Sequence, residues 1–219
     1  AVVSSAHCQC DHLTNFAVLV RAPSPGVMAR DPDVTGHQRV LSIISLLGCS
    51  ISSVFLVVSI TTVLYFGELR KRLRQRMTLC MCMTLLMILL TFLTSSVAPV
   101  SGVTCQAVAI ALHYFLLALF VWMVAQALLF YKQLVIVFQS TTDSYFYKSL
   151  ALSVLVPAVV VVTTAVSTRM SAYGSGQESV CFLKQRTAFF VAFLAPMASM
   201  VLFNSAVLVK VTFRLTQSA

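Results

Sequence analysis

Five long apolar blocks limit what this chain can fold into. Each block is near or above the roughly 20 residues that an α-helix needs to cross a bilayer. All five are predicted to be helices, because unpaired backbone groups are very costly in lipid and the sequence has no alternating β-barrel pattern. The predicted spans cover residues 40–66, 77–97, 105–138, 149–167 and 187–209.

Composition supports this prediction of a membrane protein. Of the 219 residues, 59% are hydrophobic and 10% are charged, whereas about 25% of the residues in a soluble domain are charged. A water-soluble enzyme, a disordered tail and a nucleic-acid-binding module are therefore excluded. The net charge of +9 is interpreted as a signal of membrane topology, and no nucleic acid partner is predicted.

The basic residues are distributed unevenly among the connections between spans. The connection 67–76 is the most basic, and it carries Arg70, Lys71, Arg72, Arg74 and Arg76 against Glu68. Because cytoplasmic loops are enriched in Lys and Arg, this connection is predicted to be cytoplasmic and the N-terminus extracellular. The connection 168–186 weakens the pattern, since it is also basic and must be external if the helices alternate.

The seven cysteines fall into two groups by position. Three lie within predicted spans, whereas Cys8, Cys10 and Cys181 lie in segments predicted to be extracellular and Cys105 opens the third span at its extracellular end. Disulfides form on that side of the membrane. A bridge between Cys105 and Cys181 would tie the loop before the fifth span over the mouth of the bundle. Two unrelated thiols remain the alternative, because sequence alone does not fix connectivity.

The run from His7 to His12 contains residue types that can bind zinc. Its spacing argues against a zinc site, because neighbouring side chains cannot converge tetrahedrally and Cys-x-Cys is shorter than the usual zinc spacing. A bridge between Cys8 and Cys10 is also unfavourable, so their partners are expected upstream of residue 1. No metal and no cofactor are predicted.

The stretch from Cys8 to Leu19, CQCDHLTNFAVL, closely resembles the proteolysis site of adhesion G-protein-coupled receptors. In that family the motif lies just ahead of the first membrane span. Further segments are similar to the family's third helix and second extracellular loop, namely HYFLL at 113–117, FVWM at 120–123 and CFL at 181–183. The resemblance covers nearly the whole chain. It implies an all-α polytopic membrane protein with five helices of a seven-helix bundle and a short N-terminal β-strand remnant.

The resemblance implies self-cleavage between Leu13 and Thr14. His12 would act as a general base on the Thr14 hydroxyl, which attacks the Leu13 carbonyl to give an ester that water hydrolyses. This would be a single turnover, so the chain is not expected to be an enzyme. Residues 1–13 are the last stretch of the family's cleavage domain, and we expect no cleavage without the preceding part.

Cleavage would expose a new N-terminus that looks like the family's tethered agonist. This peptide consists of Thr14, Asn15, Phe16, Ala17, Val18, Leu19 and Val20. It suits a buried strand as well as a helix that anchors in a groove, and the sequence does not choose between them. Residues 21–39 are predicted to be a linker, and residues 40–219 the transmembrane domain.

Polar side chains within the predicted spans are few. They are His113, Trp122 and Gln126 in the third helix and Asn204 in the fifth. Each is expected to face the bundle, where it serves packing, an interhelical hydrogen bond or a switch. Pro157 and Pro196 are predicted kinks.

The resemblance implies a receptor of the plasma membrane that couples to a heterotrimeric G protein when complete. Its other expected partners are its own N-terminal fragment, an unidentified extracellular or matrix ligand, and the lipid bilayer. Five helices alone are not expected to couple normally, because the sixth and seventh are absent from this sequence.

One alternative is a polycystin-like channel-associated protein, although only ten residues separate the first two predicted spans. A transporter is another, although no Asp or Glu lies within any span.

Overall fold

A computed structural model describes residues 32–97, 102–135, 143–173, 182–183 and 185–217. Within them the secondary structure is helical apart from one isolated β-bridge. The helices are α1 (Pro32–Tyr65), α2 (Gly67–Lys71), α3 (Leu73–Val97), α4 (Gly102–Val135), α5 (Asp143–Ser167), α6 (Arg186–Ala188), a π-helical segment (Phe189–Leu194) and α7 (Ala195–Gln217). The predicted N-terminal strand remnant lies outside the described residues.

Five helical stretches among the described residues are long and apolar enough to cross a membrane. They are Ile43–Tyr65, Leu73–Ser95, Gly102–Leu134, Asp143–Ser167 and Phe189–Gln217, each with a mean hydropathy of 1.9 to 2.4. They are called the first to fifth spans, and the fifth consists of the π-helical segment together with α7. This confirms the predicted five-span, all-α membrane architecture.

Helix α4 lies at the centre of the bundle. It packs against α3, α5 and α7, whereas α1 packs mainly against α3. Within the most apolar stretch of α4, 39% of the residues are buried. The corresponding share is 6% for the first span and 0% for the fifth. The third span therefore forms the core, and the first and fifth spans present broad apolar faces.

The first four spans are helical from earlier positions than the sequence predicted, and the difference is largest for α1 and α5. Helix α1 starts at Pro32, inside the predicted linker, and proline is well tolerated in the first turn because its missing N–H has no helical partner there. Helix α5 starts at Asp143 rather than at residue 149. An acidic residue in the first turn interacts favourably with the helix dipole. A prediction based on hydropathy misses such polar turns outside the hydrocarbon.

The predicted connection 67–76 is mostly helical. Helix α2 ends at Lys71, Arg72 forms a bend, and α3 starts at Leu73. The Arg72 carbonyl accepts hydrogen bonds from the N–H groups of Gln75 and Arg76, at 3.0 and 3.1 Å. The basic residues thus lie at the start of α3, and this end of the bundle is called the Arg76 end.

The chain turns back sharply after α5. Arg169 and Met170 have positive φ angles of 47° and 64°, and the Met170 N–H donates to the Ala165 carbonyl at 2.9 Å, a pattern that ends many helices. Tyr173 then pairs with Leu183 in an antiparallel bridge. The loop is thereby folded onto the bundle at the end opposite Arg76, called the Tyr173 end.

Candidate functional site

His113 of α4 is fully buried near the Tyr173 end, with 0% of its surface exposed. Its Nε2 lies 3.1 Å from the Ala192 carbonyl oxygen, and its Nδ1 lies 3.1 Å from the Tyr173 hydroxyl. A carbonyl only accepts hydrogen bonds, so Nε2 carries the proton and donates it. In the neutral ring Nδ1 then accepts from the Tyr173 hydroxyl. His113 thus joins α4 to both the loop and the fifth span.

The Ala192 carbonyl lies where the hydrogen bonding of the fifth span is irregular. In an α-helix residue 196 donates its N–H to the carbonyl of residue 192, but Pro196 has no N–H. The helix is also π-helical over Phe189–Leu194, where the Ala195 N–H donates to the Phe190 carbonyl five residues back. Short π-helical insertions often occur at functional sites. The imidazole therefore donates to a carbonyl that Pro196 cannot serve.

Tyr173 is buried against α4 together with Leu183, and both pack on Ala109. Burial raises the pKa of the Tyr173 hydroxyl to about 12. The phenol is therefore protonated at every physiological pH and remains a hydrogen-bond donor to His113. The loop is fixed to the bundle by an apolar contact and a polar one at the same residue.

Aromatic rings surround His113 on the side of the fifth span. The Phe193 ring lies 6.0 Å from the imidazole, in an edge-to-face arrangement. Phe182 of the loop lies 5.3 Å from Phe193 and 6.1 Å from Phe189. Such arrangements stabilise beyond simple area burial. These rings are called the aromatic cluster, which comprises Phe182, Phe189 and Phe193.

Cys105 of α4 is buried and disulfide-bonded. It lies one turn before Ala109, on the same face of the helix. Cys181 lies outside the described residues, so its pairing with Cys105 stays a prediction.

Trp122 and Gln126 face different neighbours from His113. Trp122 is 3% exposed and packs in a core with Met77 of α3 and Phe146 of α5. Gln126 donates a hydrogen bond to the Met81 sulfur at 3.3 Å. These two side chains join the second, third and fourth spans, and the structure does not bring them into the His113 site.

Asn204 of the fifth span is half-buried, and its side-chain amide is shielded from solvent without a hydrogen-bond partner among the described residues. This applies to both its amide nitrogen and its amide oxygen. An unpaired amide in an apolar setting costs several kcal/mol, on the order of 2 to 7. It makes no contact with His113 that would place it in the same site.

Most of the candidates that the sequence predicts to be extracellular lie outside the described residues. They are Cys8, Cys10, His12, Leu13, the peptide Thr14–Val20 and Cys181. Sequence reasoning identified His113 but missed its two partners. Pro196 was a usable signal, since a proline within a membrane helix leaves a carbonyl without its donor. Nothing in the local sequence marks Tyr173, because its position depends on the turn after α5.

Comparison with known proteins identifies the family. The family model described as 7 transmembrane receptor (Secretin family) matches residues 38–219. The Adhesion G-protein coupled receptor G4 of Homo sapiens is 34% identical over 201 residues, which are 90% of this chain and 6% of that protein. The human Adhesion G-protein coupled receptor D1 is 30% identical over 218 residues, 96% of this chain and 23% of that protein.

A third human relative, Adhesion G-protein coupled receptor G2, is 30% identical over 220 residues, 95% of this chain and 21% of that protein. The chain thus spans less than a quarter of the length of these relatives. The family match covers all five spans and includes His113, Tyr173 and Pro196. The chain therefore belongs to the secretin family of seven-transmembrane receptors, and within it to the adhesion G-protein-coupled receptors.

Proposed function

We propose that this chain is the signalling part of an adhesion receptor activated by its own peptide Thr14–Val20. The observation that carries the proposal is the buried His113 site, which joins the third span, the loop and the fifth span at the end of the bundle where the first span begins. A ligand that moves the loop or the fifth span would change the hydrogen bonds of His113 with Tyr173 and Ala192. Ligand binding at this end of the bundle can therefore alter the contacts between helices within the membrane.

The proposed agonist peptide fits the chemistry of the Tyr173 end. Phe16, Leu19 and Val20 form one apolar side when the peptide is helical. The aromatic cluster offers ring edges and faces to such side chains. The peptide is exposed when the chain is cut between Leu13 and Thr14, with His12 as the general base.

A Cys105–Cys181 disulfide would hold the loop over this end. Phe182 and Leu183 directly follow Cys181, and Leu183 packs on Ala109, one turn from Cys105. This proximity supports the pairing. The bridge would restrain the loop. If the peptide then displaces the loop, the movement would be transmitted to Tyr173 and His113.

The proposed orientation places the Tyr173 end outside the plasma membrane and the Arg76 end in the cytoplasm. A heterotrimeric G protein would bind at the Arg76 end of the complete receptor. The charge distribution supports this orientation, because positive residues are enriched in cytoplasmic connections.

The test uses the complete receptor that contains this chain, expressed in cells with second-messenger readouts. A synthetic peptide of sequence TNFAVLV is expected to raise the second-messenger level. The same peptide with Phe16→Ala should give a response at least tenfold smaller, because its aromatic anchor is lost. The His113→Phe receptor should reach the surface and respond weakly. An absence of response to TNFAVLV in every G-protein readout, with normal surface expression, would contradict the proposal.

Cleavage is tested separately with tags at both ends. The 219-residue chain is expected to give one band, and the receptor with its upstream domain to give two, the smaller starting at Thr14. Thr14→Ala should abolish the second band. A Thr14-starting band from the short chain would show that residues 1–13 suffice for cleavage.

A further inference from the structure

We propose that the Arg76 end binds the headgroup of a multiply phosphorylated inositol phospholipid. The site, called the basic cluster, consists of Lys71, Arg72, Arg74, Arg76 and Lys132. It is independent of the agonist site at the opposite end and of any G protein.

The basic cluster has more positive charge than its neighbours neutralise. Lys71 pairs with Glu68 at 2.6 Å, and Arg76 pairs with Asp143 at 3.0 Å. Both acidic side chains are largely exposed, so these pairs contribute little to stability. Five basic groups against two acidic ones leave three positive charges uncompensated. A headgroup with one net negative charge would not match this excess.

Three of the cationic groups are held in place by aromatic rings. The Arg74 guanidinium lies 4.7 Å from the Phe130 ring centre, and the Lys132 ammonium lies 4.6 Å from that of Tyr145. The Arg76 guanidinium lies 4.3 Å from that of Phe146. A cation–π contact restricts the side chain without neutralising its charge. The positive groups of α3 and α4 are therefore preorganised, which lowers the cost of binding an anion.

Tyr145 is itself fixed. Its hydroxyl donates to the Ala125 carbonyl at 2.7 Å, which attaches the start of α5 to α4. The ring under Lys132 cannot move without breaking this bond. Arg74, Arg76 and Lys132 are thus supported by the packed helices α3, α4 and α5, and Lys71 and Arg72 directly precede α3.

The placement of the charges is unfavourable for the isolated helix. Helix α3 starts at Leu73, and its N-terminus carries the positive end of the helix dipole. Arg72 directly precedes this helix start, and Arg74 and Arg76 lie in its first turn. An anion bound there would relieve the repulsion between these positive side chains and the helix dipole. The bound anion therefore stabilises the arrangement that the sequence otherwise makes costly.

The position of the cluster favours a lipid over a soluble phosphate. The second span starts at Leu73, so the guanidinium groups lie at the boundary between apolar helix and water, at headgroup depth. An arginine guanidinium can donate two parallel hydrogen bonds to two oxygens of one phosphate group. Juxtamembrane clusters of four to eight basic residues commonly bind anionic lipids, and each such residue contributes on the order of a fivefold gain in affinity.

The test is native mass spectrometry of the purified 219-residue chain in detergent, with dioctanoyl phosphatidylinositol 4,5-bisphosphate as the probe. Dioctanoyl phosphatidylserine tests general attraction to anionic lipid, and inositol 1,4,5-trisphosphate tests the headgroup without acyl chains. We expect the bisphosphate lipid to bind at least tenfold more tightly than either.

The Arg72→Gln/Arg74→Gln double variant should lose about tenfold or more in affinity for the bisphosphate lipid. Arg74→Lys keeps the charge and should lose severalfold, because it lacks the guanidinium fork. Arg169→Gln removes one charge from the Tyr173 end and should bind like the parent chain. A thermal unfolding transition checks that each variant is folded.

Three outcomes would overturn the proposal. One is equal affinity for phosphatidylserine, which would mean attraction by charge alone. Another is equal affinity for inositol trisphosphate, which would mean a site for a soluble phosphate. The third is unchanged binding in a folded double variant, which would place the lipid elsewhere.

Discussion

At the scale of single residues, His113 is a structural hydrogen-bonding group whose partners come from two distant parts of the chain. Replacing it with phenylalanine removes the donor to the Ala192 carbonyl and the nearer acceptor of the Tyr173 hydroxyl, which keeps only the 3.5 Å contact with the Val161 carbonyl. A buried polar group that loses its partner costs about 1 to 3 kcal/mol. We therefore expect His113→Phe to lower the melting temperature of the detergent-solubilised chain by several degrees. Tyr114→Phe, next to it on α4, is the matched control and should change the melting temperature little.

Asn204 should behave in the opposite way. Its amide is buried without a partner among the described residues, so a leucine of similar size removes unpaired polar atoms from an apolar setting. We expect Asn204→Leu to leave the melting temperature of this chain unchanged or to raise it. Ser205→Ala, at the neighbouring exposed position, serves as the control. A marked loss of stability in Asn204→Leu would mean that the amide has a partner outside the described residues.

At the scale of secondary-structure elements, the Ala192 carbonyl lies in the π-helical segment, four residues before Pro196. Pro196→Ala supplies an N–H that can donate to this carbonyl in α-helical register, as a second donor beside His113. We expect His113→Phe to cost at least about 1 kcal/mol less in the Pro196→Ala background than in the parent chain. The measurement is a double-mutant cycle of thermal unfolding. Pro157→Ala with His113→Phe is the control pair and should show additive effects.

The elements also show what the sequence could predict. The number of spans followed directly from hydropathy, because lipid enforces helices of a minimum length. Helix ends such as Asp143 were missed, since polar turns beyond the hydrocarbon carry no hydropathy signal. The π-helical register and the Tyr173 contact were missed for another reason. Both arise from packing between distant segments, and Phe189–Leu194 has no local composition that distinguishes it from an ordinary apolar helix.

At the scale of the whole molecule, the two ends of the bundle differ in charge and in chemistry. At the Tyr173 end the described loop residues Tyr173, Phe182 and Leu183 make aromatic and apolar contacts with the bundle. The Arg76 end carries the basic cluster and the acidic residues that partly pair with it. This polarity is consistent with one orientation in the membrane, in which the ends face different compartments. In the proposed orientation the basic residues serve two roles, since they favour a cytoplasmic location for this end and also attract a lipid headgroup.

Orientation can be tested with engineered N-glycosylation sites, which are modified only on the extracellular side. A site added before residue 1 should be glycosylated in cells, and a site inserted after Gly67 should not.

Neutralising Arg70, Lys71, Arg72, Arg74 and Arg76 together should give a mixture of orientations, because the dominant positive connection is lost. Neutralising Arg169, Lys184 and Arg186 is the matched control: it removes charge that opposes the proposed orientation, so glycosylation before residue 1 should be equal or more complete. The opposite ranking of the two variants would mean that the connection 168–186 faces the cytoplasm and that the Arg76 end is outside, where no G protein could reach it.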